Sequence, residues 1–201
     1  MSALPKSPLL TAEEYLAREL KAEFKSEFYQ GEMFAMAGAS KFHNLINDNI
    51  SIEIGGRLKG GPCRTVSNDQ RLRVDATGLY TYPDYMIVCG PRLYDPRNKD
   101  TLLNPTVIFE ILSPSTESYD TGTKFRHYQK IESVREIVLV SQETMMVQVY
   151  ERQPDGKWLL STFDESGGEM KLTTVPVSVP LADIYRDVEF PPPVLRSIPP
   201  A

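Results

Sequence analysis

The sequence predicts an α/β or α+β domain, a mixed central sheet with helices laid against it. Three observations carry that expectation. Residues 41 to 141 run helix, three strands, helix, strand in their apolar patterning. The first of those helices repeats an apolar residue every four positions, and the segment Val107 to Leu112 is apolar on both sides of its pleat. Strands and helices interleaved in this way bury their apolar faces against one another.

The elements follow in order. Thr11 and Glu14 have capping-box spacing and open a short helix that runs to about Ala22. In SEFYQGEMFAMAG, Gly31 between two alternating arms marks a hairpin with Glu27 and Glu32 on its strands. Ser40 caps a longer helix whose stripe is Phe42, Ile46, Ile50, Ile54 and Leu58, and Gly60-Gly61-Pro62 stops it. Strands are expected in CRTVSNDQRLRV, PDYMIVCG and PTVIFEILS, with a polar loop, PRLYDPRNKD, between the last two. A helix from about Ser118 to Glu132 and a strand at REIVLVS come next, then a hairpin of MMVQVYERQ and KWLLSTF turned by Pro154-Asp155-Gly156. The chain reads as a single domain over residues 1–201, with its core at about 24–165 and a Pro-rich tail, extended or disordered, at about 190–201.

Composition narrows the function classes. No apolar run reaches the roughly 18 to 20 residues of a membrane span, and MSALPKSPLL lacks the layout of a secretory leader, so a cytoplasmic protein is expected. Cys63 and Cys89 have no CxxC spacing, which argues for two buried free thiols over a disulfide or a thiolate zinc site. Two histidines are too few for a multi-histidine zinc site, so any metal is expected to take oxygen ligands, which favours Mg²⁺ or Mn²⁺. The net charge of −5 argues against an unaided nucleic-acid binder, unless acids gather around a metal and basic residues cluster elsewhere.

The residues that carry chemistry are two acids in apolar strands and a lysine on the following helix. Asp84 follows Pro83 at the start of one strand, and Glu110 sits inside VIFEIL. An ionised group in such a run is costly unless something neutralises it. A buried ion pair would do so, and so would a divalent cation held by both acids. Asp120, Lys124 and Tyr128 are spaced by four and share a helix face, with His127 beside it. Asp120 and Lys124 could be a plain surface pair, yet their helix begins a few residues after the Glu110 strand and must lie near that strand's exit.

PDYMIVCG, VIFEILSPST, Asp120-Thr121-Gly122-Thr123-Lys124 and Tyr128 resemble, in that order, the Uma-two family of restriction endonucleases, within the PD-(D/E)XK nuclease superfamily. The likeness spans about residues 11 to 165 and takes in Gly31-Glu32 and His43. It implies a restriction-endonuclease-like core, a Mg²⁺ ion (or Mn²⁺) on Asp84 and Glu110, a lysine that helps activate water, and DNA as substrate. In the superfamily the lysine stands two residues after the acid, where this chain has Leu112, so the resemblance implies that Lys124 acts from the neighbouring helix. Glu32 is either a further carboxylate of the site or an exposed hairpin acid, and His43 either a site residue or a capping one. Asp69 and Gln70 either face the cleft or lie on a polar strand face.

Candidates for DNA-backbone contact are Arg92, Arg97, Lys99, Arg126 and Lys130, each otherwise a solvated surface residue. Cleavage of both strands suggests a homodimer. The rival reading is a non-catalytic module of the same fold that binds nucleic acid or a protein. Glycoside hydrolysis by two acids leaves Lys124 without a role and needs no metal.

Overall fold

The computed structural model describes residues 9–36, 38–166 and 168–190. The tail expected from about 190 therefore lies outside the described residues beyond Phe190, as does most of the N-terminal stretch read for a leader. The helix α1 (Ala12–Glu19) has the capping box at Thr11 and Glu14. The hairpin of β1 (Ser26–Tyr29) and β2 (Glu32–Ala35) turns at Gln30 and Gly31, whose φ values of 50° and 86° are those of a tight two-residue turn. A Cβ at Gly31 would stand 2.7 Å from that of Leu9, so glycine is needed there for space as well as for backbone conformation.

The long helix α2 (Lys41–Leu58) is capped by Ser40. Six strands follow: β3 (Cys63–Ser67), β4 (Arg71–Val74), β5 (Leu79–Thr81), β6 (Tyr85–Cys89), β7 (Tyr94–Asp95) and β8 (Asn98–Leu102). β9 (Val107–Leu112) leads into α3 (Glu117–Tyr119), a π-helical turn (Asp120–Lys124) and α4 (Phe125–Tyr128). The remainder is β10 (Glu136–Ser141), β11 (Met146–Arg152), β12 (Trp158–Asp164), β13 (Glu169–Leu172), β14 (Val177–Pro180) and α5 (Leu181–Ile184).

The central sheet has the order β12-β11-β10-β9-β6-β3, with β9 and β10 parallel and the other pairs antiparallel. One face carries Tyr85, Ile87, Phe109 and Val138, onto which Ile46, Ile50, Ile54 and Leu58 of α2 pack. The opposite face carries Met86, Ile108 and Ile137. Against it pack Tyr128 of α4 and Leu72, Val74, Leu79 and Leu102 of the second sheet, ordered β2-β1-β5-β4-β8-β7. With layers on both faces, β9 is buried along its whole length, which is why its sequence is a continuous apolar run broken only by Glu110. Among the described residues no helix is long and apolar enough to cross a membrane.

Several expectations need correcting. CRTVSNDQRLRV is two strands in two different sheets, because the chain turns at Ser67–Gln70, where the Gln70 amide bonds the Ser67 carbonyl. PRLYDPRNKD is the β7–β8 hairpin rather than a loop, and β8 pairs in parallel with β4. The helix after Glu110 ends at Tyr128, short of Glu132. Cys63 and Cys89 are joined in a disulfide rather than free, because the antiparallel β3–β6 register sets them directly opposite each other.

Candidate active site

Asp84 and Glu110 meet through strand register. Tyr85 pairs with Phe109 across β6 and β9, so one step further along places Asp84 opposite Glu110, and opposed residues share a sheet face. The backbone holds Asp84 in place, with the Ile111 amide donating to Oδ2 at 2.7 Å. Its other oxygen, Oδ1, lies 3.1 Å from Nε2 of His43. His43 is aimed there by the start of α2, where Ser40 Oγ accepts its amide, and its Nδ1 is buried with no hydrogen-bond partner among the described residues.

Lys124 enters from the other side. The π turn adds a residue to the helical loop, with the Phe125 amide reaching back to the Asp120 carbonyl, and such turns recur at functional sites. Both Asp120 and Lys124 are buried by it. The ammonium lies 2.9 Å from Glu110 Oε1, 3.4 Å from Asp120 Oδ1 and 3.6 Å from Glu27 Oε1. Tyr128 donates its hydroxyl to the same Glu110 oxygen, one helical turn along from Lys124. Glu27 is held in turn by Thr81, whose hydroxyl donates to Oε1, and by Tyr119, whose hydroxyl donates to Oε2 at 2.8 Å.

The electrostatics follow from the count of charges. Three acids, Glu27, Glu110 and Asp120, lie within 3.6 Å of the Lys124 ammonium, and a fourth, Asp84, is paired with His43 beside them. Burial disfavours the Lys124 ammonium, but Glu110 and the acids around it outweigh that and hold its pKa well above the ordinary value. Burial, with Asp84 and Asp120 adding to it, pushes Glu110 well above the usual carboxylate range despite Lys124 and Tyr128. Asp84 goes the other way: burial opposes its charge, yet His43, Lys124 and the Ile111 amide together keep its pKa low. The cluster thus carries more negative charge than its own cation neutralises.

Residues 12–182 match the Uma2 family model, described as "Putative restriction endonuclease". The chain belongs to the Uma2 family. It is 34% identical over 183 residues to the uncharacterized protein slr1290 of Synechocystis sp., covering 91% of this chain and 95% of that one. A second uncharacterized Synechocystis protein, sll1609, is 33% identical over 177 residues, 86% of this chain and 98% of its own. The fold is shared with the crystal structure of a putative nuclease belonging to DUF820 from Anabaena variabilis. That likeness has a TM-score of 0.69 at 19% identity and covers 88% of this chain and 97% of that one. The resemblance and the fold class read from the sequence therefore hold.

Within this Uma2 chain the fold brings together Asp84, Glu110, Lys124, His43, Asp120 and Tyr128. It does not bring in Glu32, which stands exposed on β2, and the hairpin acid at the lysine is Glu27 on the partner strand. In the hairpin register Glu27 faces Phe34, two steps from the Tyr29–Glu32 pair at the turn, so alternation alone does not separate the two acids; what buries Glu27 is its place next to Phe28, where β1 meets β5. His127 points elsewhere, to Thr77, at 2.8 Å. Asp69 is exposed and pairs with Lys25 at 2.6 Å, while the Gln70 amide reaches the Asp100 carbonyl. Arg97 is a poor candidate for DNA, because Asp95 and the Tyr80 hydroxyl engage its guanidinium. Arg92, Lys99, Arg126 and Lys130 remain on the surface.

Among the described residues no group of three or more His, Cys, Asp and Glu side chains could form a cage for a metal ion. Magnesium does not require one: it is usually held by one or two carboxylates and completed by waters and substrate phosphates. Asp84 and Glu110, two hard-oxygen donors on one sheet face, fit that mode.

Proposed function

We propose that the protein is a cytoplasmic, metal-dependent endonuclease that hydrolyses phosphodiester bonds in DNA. The observation that carries this reading is the arrangement of Asp84 and Glu110 across neighbouring strands with the Lys124 ammonium 2.9 Å from Glu110. Held by these two carboxylates, Mg²⁺ or Mn²⁺ would supply a Lewis acid for the phosphoryl oxygen and a bound water of lowered pKa.

The chain's own groups supply the rest. Lys124 presents three N–H donors, which orient an attacking water or take up charge developing on the phosphate. Glu27 and Asp120 keep that ammonium beside Glu110, and Tyr128 fixes the Glu110 carboxylate that it meets. His43 and the Ile111 amide hold both oxygens of Asp84, so the carboxylate needs no reorganisation when substrate arrives. Arg92, Lys99, Arg126 and Lys130 are our candidates for backbone contacts, which position DNA without reading its sequence.

The test is cleavage of a supercoiled plasmid by the full chain in Mg²⁺ and in Mn²⁺, beside Glu110→Gln and Lys124→Met. The reading expects nicked and linear product from the parent alone, and none in chelator. A parent that binds plasmid but leaves it intact in both metals would overturn the enzymatic reading in favour of the binding module.

A further inference from the structure

The central sheet ends on β12, and that edge differs from the other three edges of the two large sheets. An edge strand presents unpaired backbone groups, which soluble proteins protect by short length, charge, proline or bulges. β7 has two residues and a register shift, β2 has four and opens on Glu32, and β3 carries the charged Arg64 at its second position. β12 runs for seven residues, WLLSTFD, pairs with β11 without a register shift, and has no charge before its last residue. Leu159 and Leu160 are 53% and 44% exposed on its two faces.

We propose that β12 is the seam of a two-fold homodimer, in which it pairs antiparallel with β12 of a second copy and joins the two central sheets into one. A strand pairing with itself in this sense is self-complementary by symmetry. Centred on Ser161, the register sets Leu159 against the partner's Phe163 and Leu160 against the partner's Thr162. Charge favours the same occupant: Lys157 precedes the strand and Glu165 follows it, so each Lys157 faces the partner's Glu165 at both ends of the seam. Lys157 now touches Asp155 at 2.7 Å with both side chains largely in solvent, a contact weak enough to exchange. The chain's own ends suit the edge poorly, since prolines at 5, 8, 191–193, 199 and 200 remove ladder donors.

The experiment is light scattering on the full chain over a concentration series. The parent should weigh twice 22.7 kDa. Leu159→Lys with Leu160→Lys should give a monomer whose circular dichroism is that of the parent. Lys157→Glu should weaken the dimer, and Lys157→Glu with Glu165→Lys should restore it. Ser161→Cys should cross-link into a covalent dimer under mild oxidation, which decides the matter if the double-lysine variant fails to fold. A monomeric parent that gives no cross-link, or a dimer indifferent to both the lysines and the charge exchange, would overturn the seam. Neither result depends on whether the protein cuts DNA.

Discussion

The ammonium of Lys124 lies 2.9 Å from Oε1 of Glu110, with both side chains almost wholly buried. The chain thus places its own cation against an acid of the cluster. Lys124→Met should therefore leave Glu27, Glu110 and Asp120 without a positive partner and destabilise the metal-free protein by about 3–5 kcal/mol, as breaking a buried pair does. Urea unfolding measures this. On the proposed function, Mg²⁺ should recover part of the loss while cleavage stays absent. A variant as stable as the parent in chelator would show that the lysine is not needed to neutralise the acids.

A metal held by Asp84 and Glu110 binds the folded state only. Saturating Mg²⁺ or Mn²⁺ should raise Tm, by the equivalent of about 2.7 kcal/mol at a hundredfold excess over Kd. Asp84→Asn and Glu110→Gln should abolish the increment. Differential scanning calorimetry at several metal concentrations checks it, and an equal rise in parent and variants would place the ion elsewhere.

Much of this site was legible in the sequence because it lies on elements with strong patterns. Glu110 interrupts an apolar strand, Asp84 follows a proline, and Lys124 and Tyr128 hold a helical spacing that the π turn only partly distorts. Glu27 was harder to read, since a four-residue strand gives too short an alternation to tell its buried acid from the exposed Glu32. The second sheet was legible only in its first hairpin and in the stretch that becomes β4. β5 and β7 have three and two residues, too short for a periodicity, and β5 is placed by its pairing with β1, distant in sequence. The disulfide was hidden for the same reason: 26 residues separate Cys63 from Cys89, and only the β3–β6 register makes them neighbours.

The pH dependence of the metal-free protein follows from Glu110. Burial, Asp84 and Asp120 raise its folded pKa, so the folded state holds a proton that the unfolded state releases at about pH 4.3. This group's contribution to stability is full below that value and is lost as pH rises through the folded pKa. In chelator, stability should decline across that window, and Glu110→Gln should flatten the decline. Metal affinity should climb over the same range, because the ion needs the carboxylate. Titration calorimetry at several pH values reads the second effect, and affinity independent of pH would remove Glu110 from the ligand set.

Asp95 gives the opposite sign away from the site. Burial opposes its charge, but bonds from Arg97 and Arg73, each at 2.9 Å, outweigh it and hold the pKa far below the carboxylate range. Its stabilisation is present above about pH 3.9 and is lost as pH falls through the lower folded value. Asp95→Asn should cost about 3 kcal/mol, the low end for a broken buried pair because Arg97 is partly solvated. The loss should shrink in acid, while the metal-induced rise in Tm stays unchanged.

Glu27 offers the sharpest separation of positioning from metal binding. Its carboxylate reaches Lys124 at 3.6 Å and takes the hydroxyls of Thr81 and Tyr119, so it is fixed beside the lysine. Glu27→Gln preserves the volume and keeps one hydroxyl as a donor to its amide oxygen, while the amide NH₂ now faces the other hydroxyl and donates to it, but the change removes one of the charges that hold the ammonium. Cleavage should fall at least tenfold, a change of about 1.4 kcal/mol in the barrier. Tyr119→Phe, which only frees the carboxylate to move, should lower cleavage by a smaller factor. In both variants the Mg²⁺-induced rise in Tm should match the parent, since Asp84 and Glu110 are untouched. If Glu27→Gln instead removed that rise, the hairpin acid would be a metal ligand rather than a support for Lys124.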